Sequence, residues 1–186
     1  MDIFKSIQER RSVFPNQFKA RDVDDADIKK LLDLANWAPT HRKTEPWRFK
    51  VMTGEFKTKA GEFFKEVYLS TTENPKNFKA NKIVEKFNQS SHVIAVCMQR
   101  DPKESVPEWE ELAATAMAVQ NMWIGAKELH IGMYWSTPGY KDKLSELIPL
   151  NEGETCLGFL YLGYFDETQE LPTRNSTIEA KTKWLD

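Results

Sequence analysis

Two short clusters hold the side chains best able to do chemistry in this sequence. Arg10-Arg11-Ser12 sets two guanidinium groups and a hydroxyl in a row. Guanidinium forks bind phosphate oxygens bidentately and a serine hydroxyl adds a short hydrogen bond, so the triplet has the donor set of a phosphate grip. Taken alone, such a triplet is more commonly a solvated helix end. His41-Arg42-Lys43 is the second cluster, and by itself it reads as a basic loop.

The fingerprints of other chemistries are missing. There is no Walker loop and no GxGxxG after a strand. The three histidines, His41, His92 and His130, are far apart, and no Cys/His cluster has metal-ligand spacing. No nucleophile-elbow pattern appears, and a Ser-His-Asp triad is left open by sequence. What remains is cofactor chemistry, which needs few protein catalysts.

The elements that must position these clusters are legible from spacing. The first ten residues read as a helix with Ile3, Phe4 and Ile7 on one face, so Arg10-Arg11-Ser12 falls at its end; a polar, Pro-containing stretch follows over 13–23. Asp24 is a good N-cap, and Asp25 and Asp27 occupy a first turn where the helix dipole favours acids. Ile28, Leu31, Leu32, Ala35 and Ala38 keep helical spacing up to Pro39. Residues 47–53 alternate as a strand closed by Gly54, and 56–69 read as a helix with Phe63, Phe64 and Val67 inward. The polar segment 70–82 reads as a surface excursion, with a lid as its alternative. The apolar run 93–98 is expected to be a central strand buried on both faces. Residues 107–129 form a long helix with Leu112, Ala116, Val119, Trp123 and Ala126 on one stripe and apolar character nearly all round, which favours a subunit interface. Residues 132–137 are a short strand or loop, 142–148 a short helix and 155–165 the last core strand. In that strand Gly158 and Gly163 mark places where side chains would crowd a neighbour. The polar tail 166–186 is expected to wrap a partner subunit.

Composition sets the frame. The chain of 186 residues fits one domain, 1–186, large enough to bury a core. With 40% apolar and 29% charged residues it falls among ordinary globular proteins. A net charge of −2 provides no global field for nucleic acid or an anionic membrane. No apolar run approaches a membrane span, and the amphipathic start, Met1 to Lys5, lacks the pattern of a secretion leader. Cys97 and Cys156 sit in apolar runs and read as small buried hydrophobes, with a disulfide left open. The cytoplasm is the expected location.

Together the segments resemble the N-terminal signature of the nitroreductase family: Arg10-Arg11-Ser12, then Ala38-Pro39-Thr40-His41 about one helix later, then Pro46-Trp47 opening a strand. Gln120-Asn121-Met122 in the long helix, Gly132 after it, Leu157-Gly158-Phe159-Leu160 with Gly163, and Pro172-Thr173-Arg174 ahead of Ile178-Glu179 also match. The resemblance spans nearly the whole chain, is strongest to the short members, and rests on order and spacing rather than on any one piece.

The resemblance implies an α+β fold with a central, mostly antiparallel sheet flanked by helices, in an intertwined homodimer with FMN at the interface. By position it implies Arg10, Arg11 and Ser12 on the FMN phosphate and ribityl chain, with Arg174 adding a second charge to the phosphate. Thr40, His41 and Lys43 would face the flavin ring from the partner subunit, and Tyr134, Trp135 and Ser136 would line it. Phe78 and Trp109 are aromatic candidates for the substrate pocket, whereas Trp37 and Trp123 suit core or interface packing. Relatives usually carry Asn three residues before the Pro of Pro46-Trp47 and Gln directly before it; Lys43 and Glu45 stand there here. Lys43 would raise the flavin potential. Glu45 would lower it, and is expected to pair with Lys43 or Arg42 instead. The implied activity is hydride transfer from NADH or NADPH through flavin N5 to a nitroaromatic, quinone or activated alkene in a ping-pong cycle, with no protein nucleophile. The alternatives are a flavin-fragmenting or dehydrogenating enzyme of the same fold, a flavin-binding dimer without turnover, and a plain structural dimer.

Overall fold

The apolar run at 93–98 becomes the central strand β2 (His92–Gln99) in a computed structural model that describes residues 2–166 and 173–185. On one side it pairs with β1 (Trp47–Met52), on the other with β4 (Glu154–Tyr164), and β3 (Ile131–Ser136) closes the far edge. All three pairings are antiparallel, in the order β1-β2-β4-β3. Side chains alternate across a pleated strand, so Ile94 and Val96 enter one core while Val93, Ala95 and Cys97 enter another. The first core is covered by α2 (Asp25–Ala35) and α5 (Glu108–Glu128). The second lies under α3 (Gly54–Thr71), α4 (Asn77–Gln89) and the 3-10 helix Gly139–Glu146. This is the α+β arrangement the resemblance implied.

Local chemistry sets several boundaries as expected. The Asp24 carboxylate accepts the Ala26 N–H at 2.8 Å and starts α2. Gly158, at φ +149, lies so close to β3 that a Cβ would meet the Ser136 carbonyl oxygen at 2.5 Å. A Cβ at Gly163 would meet Phe18 at 2.6 Å. Both glycines allow close approach at the β4–β3 edge. Among the described residues no helix is long and apolar enough to cross a membrane.

Several expectations change. The 70–82 segment lies on the surface, as expected, but is mostly helical: α3 runs to Thr71 and α4 begins at Asn77, continuing to Gln89. Ala80, Ile83 and Phe87, spaced three and four apart, bury one stripe of α4 against the second core, while its other faces stay polar and mask the helix in composition. The 142–148 helix is a 3-10 segment, Gly139–Glu146. In α5 Leu112 is exposed, and the buried face includes Glu111, Ala114, Thr115, Ala118 and Met122. Cys97 and Cys156 are free and buried, although they face each other across β2 and β4 next to a bulge. Pro172 of the sequence signature lies outside the described residues, as do Met1 and Asp186.

Candidate functional site

The chain leaving α1 (Ile3–Glu9) runs along the β3 edge, where the Val13 N–H donates to the Met133 carbonyl at 3.0 Å. That bond brings the Arg10-Arg11-Ser12 triplet to the strand carrying Tyr134, Trp135 and Ser136. Phe14 closes the junction, its ring 4.6 Å from that of Tyr134. Arg10 lies 4.7 Å over the Trp123 ring of α5, Arg11 lies 5.6 Å over Phe165, and Ser12 is exposed.

The electrostatics of this corner are unbalanced. Burial, and after it the nearby charge of Arg174, hold the Arg10 guanidinium below its ordinary proton affinity. Arg174 donates, among the described residues, to its own neighbour, the Thr173 carbonyl, at 3.1 Å. Among the described residues no carboxylate pairs with Arg10 or Arg174. Two guanidinium groups within electrostatic reach, near the Ser12 hydroxyl and without a carboxylate partner among the described residues, form a donor set that fits a phosphate dianion. The indole N–H of Trp135, beside Gly158, is buried without an acceptor among the described residues.

The second predicted cluster sits elsewhere. Thr40, His41 and Lys43 belong to the loop before β1, at the opposite edge of the sheet from β3. Arg42, Lys43 and Glu45 all adopt left-handed φ, at 51°, 55° and 42°. Three such non-glycine residues within four positions is backbone strain, and strain of this kind concentrates at functional sites. Thr40 Oγ1 staples the loop by accepting the Glu45 N–H at 3.2 Å and lying 3.0 Å from Thr44 Oγ1. His41 Nδ1 is 2.6 Å from Glu110 Oε2 in the first turn of α5. The expected pairing of Glu45 with Lys43 or Arg42 does not form; Arg48 donates instead to the Glu45 carbonyl at 2.8 Å.

One chain therefore assembles Arg10, Arg11, Ser12, Arg174, Tyr134, Trp135 and Ser136 at the β3 edge and leaves Thr40, His41 and Lys43 at the β1 edge. Phe78 is exposed at the start of α4 and Trp109 in the first turn of α5. Neither lines the two clefts that flank α4. Trp37, expected in core or interface packing, is 83% exposed in the single chain and so is not in its core. Sequence reasoning missed Phe14, Glu110 and Lys86, whose Nζ lies 5.7 Å from the Tyr134 ring. The spacing of Lys79, Lys82 and Lys86 was the available signal for the last, once 77–89 is seen as a helix.

A triad-like string does exist, at another place. Ser91 Oγ is 2.8 Å from His92 Nδ1, and His92 Nε2 is 3.0 Å from Asp25 Oδ1. Ser91 is buried and its oxygen already accepts the Val23 N–H at 2.7 Å. The string ties the start of α2 to β2 and offers no accessible nucleophile.

Comparison with known proteins identifies the family and the fold. The nitroreductase family model matches residues 7–164. YfhC of Bacillus subtilis (strain 168), a candidate NAD(P)H nitroreductase, is 31% identical over 185 residues, spanning 95% of this chain and 91% of its own length. The crystal structure of a nitroreductase-like family protein from Bacillus cereus superposes with a TM-score of 0.86 at 30% identity, over 100% of this chain and 97% of that one. A candidate nitroreductase from Desulfovibrio desulfuricans, crystallised in complex with FMN, shares the fold at a TM-score of 0.72 and 19% identity, over 100% and 98% of the two chains.

Proposed function

The chain belongs to the nitroreductase family, and on that premise we propose that it is an FMN-dependent oxidoreductase working as a homodimer, residues 1–186 acting as one domain. Its donor is NADH or NADPH, and its acceptor is a small oxidised compound: a nitroaromatic, a quinone or an activated alkene. The two substrates use the same place in turn, giving ping-pong kinetics. The cytoplasm, where NAD(P)H is supplied, is the proposed location.

One observation carries the reading: the charge of Arg174 reaches Arg10, next to exposed Ser12, with no carboxylate partner for either guanidinium among the described residues. Two like charges brought within reach of each other, with no carboxylate partner among the described residues, favour an anionic ligand there. Arg10, Arg11, Ser12 and Arg174 hold the phosphate and ribityl chain, and Tyr134, Trp135 and Ser136 line the ring. FMN held there would supply the redox chemistry, hydride transfer between donor and acceptor. The partner subunit's Thr40, His41 and Lys43 face the ring from the other side, where Lys43 stabilises negative charge at the ring edge. Glu110 orients His41 for that role.

The separation of the two clusters on opposite sheet edges supports the dimer, because a second copy is needed to unite them. Exposed apolar side chains support it as well. Phe4 of α1 is 75% exposed, and Trp109, Leu112 and Met117 of α5 stand in solvent in the isolated chain. In the tail, Trp184 and Leu185 are likewise exposed and suit a wrap around the partner.

The deciding experiment is a visible spectrum of the purified protein before and after anaerobic NADH or NADPH. A flavin spectrum that bleaches and recovers on addition of a quinone or nitroaromatic is expected. A protein that carries no flavin and takes up none from added FMN would sink the reading.

A further inference from the structure

A cleft of about 530 Å³ opens between α4, the end of α3 and the 3-10 helix Gly139–Glu146. That volume is within the range of small-molecule pockets, roughly 300–1,000 Å³. Lys79, Lys82 and Lys86 line one wall, and Tyr68, Ser136 and Tyr140 line the others. No carboxylate is among its lining residues.

The three lysines sit three and four positions apart and so share one face of α4. The helix sorts its charge. Glu85 lies on the other side, in a separate groove with Glu62 and Lys65, and there Lys65 pairs with Glu62 at 3.2 Å. In the cleft, no ion pair neutralises Lys79, Lys82 or Lys86 among the described residues; Lys82 and Lys86 have only ring faces, those of Phe78 at 5.8 Å and Tyr134 at 5.7 Å. A lysine face on a solvated helix is ordinary. Three cations on the wall of a concave cleft, facing hydroxyl groups and no acid, in a chain of net charge −2, are not. Burial pushes the Tyr140 hydroxyl up to about 12, so it stays protonated and adds no negative charge to the cleft. The inner end of the cleft meets Ser136 and the Lys86–Tyr134 contact, the same strand end that lines the proposed flavin ring.

We propose that this cleft is the anion end of the substrate pocket: it takes the carboxylate or sulfonate of an aromatic acceptor, with Lys79 and Lys82 as its charge contacts and Lys86 nearest the group being reduced. The assignment of the inner end to the reaction rests on the flavin reading above; the anion preference does not. The 2′-phosphate of NADPH is a second source of the same chemistry, and the test separates the two.

Benzoate and benzamide share a ring and differ in charge. Titrated calorimetrically into the purified protein, benzoate is expected to bind about tenfold more tightly than benzamide, as two partly exposed charge contacts allow. The preference should shrink with added salt and fall to about unity in the Lys79→Gln/Lys82→Gln double variant. Both lysines are exposed, so the variant tests charge rather than folding. In turnover, kcat/KM for 4-nitrobenzoate should exceed that for 4-nitrobenzamide by a similar factor and lose that advantage in the double variant. Equal binding of benzoate and benzamide to the wild type overturns the proposal, with or without flavin. A preference that survives the double variant removes these lysines from it. A variant that loses NADPH turnover alone, keeping NADH turnover and acceptor preference, assigns the lysines to the donor and overturns it too. Failure of the flavin reading has a different sign, a protein that takes up no FMN, and leaves the benzoate titration readable.

Discussion

The guanidinium groups of Arg10 and Arg174 lie within electrostatic reach of each other although they come from opposite ends of the chain: burial first, and then the charge of Arg174, hold Arg10 below its ordinary proton affinity. The pair is a repulsion within the unliganded protein and an attraction for a dianion. That opposition separates ligand binding from stability.

Arg174→Ala should therefore weaken FMN binding by about 10- to 100-fold, the worth of a charge-assisted hydrogen bond of roughly 1.5–3 kcal/mol. The unfolding midpoint of the flavin-free protein in urea should hold or rise, because a like charge has gone. Arg10→Ala should weaken FMN binding similarly but also lose its contact with Trp123. A titration of FMN fluorescence beside a urea curve reads both quantities. A lower apo midpoint with unchanged FMN affinity would remove the phosphate role.

The proposed dimer predicts a second separation. Leu112 is 46% and Met117 39% exposed on α5, so a charge placed there costs the isolated subunit little. Leu112→Glu/Met117→Glu should sediment as a monomer with near-native circular dichroism and should retain FMN poorly, since the second loop that faces the ring would be missing. A double variant that stays dimeric by analytical ultracentrifugation would place the interface elsewhere.

Glu111 is a buried acid on a mostly apolar helix face. It accepts from Arg100 and from the Asp101 N–H, the latter at 2.9 Å. Glu111→Ala leaves that part-buried N–H without its acceptor, a cost of about 1–2 kcal/mol in unfolding free energy, and releases the turn before α5. Glu111→Gln keeps an acceptor for the N–H and should lose less. Urea unfolding of the two variants, with the alanine the weaker, is the expected order.

Glu154 gives a pH dependence with a definite sign. Burial alone would raise its proton affinity, but the Lys50 ammonium and the Asn151 N–H outweigh it and leave the carboxyl below its ordinary range. A depressed carboxylate adds stability that is present above its unfolded value and is lost as pH falls through the lower folded value. The unfolding midpoint of the wild type should thus drop as the solution is acidified below the usual glutamate range. In Glu154→Gln that part of the slope should flatten. Parallel slopes for wild type and variant below pH 4 would show that the pair carries none of the acid sensitivity.

The elements that a local pattern specifies were legible in the sequence. β2 needs only an unbroken apolar run, α2 an Asp24 cap with 3.6-residue spacing, and Gly158 and Gly163 the absence of a side chain where strands crowd. The order of Arg10-Arg11-Ser12, Pro39-Thr40-His41 and Pro46-Trp47 was enough to indicate the family, because order along a chain is itself a local property. α4 was hidden because its buried stripe, Ala80, Ile83 and Phe87, is narrow and the polar residues between dominate its composition.

Only the tertiary structure decided what meets what. That Arg174 returns to Arg10, that Glu110 takes His41, that Glu111 turns inward while Leu112 faces solvent, and that three lysines of α4 share a cleft with Ser136 are contacts between segments far apart in sequence. Charge and hydrogen bonding act through distance in space, and a residue's type and local spacing carry no record of which distant segment the fold will bring against it.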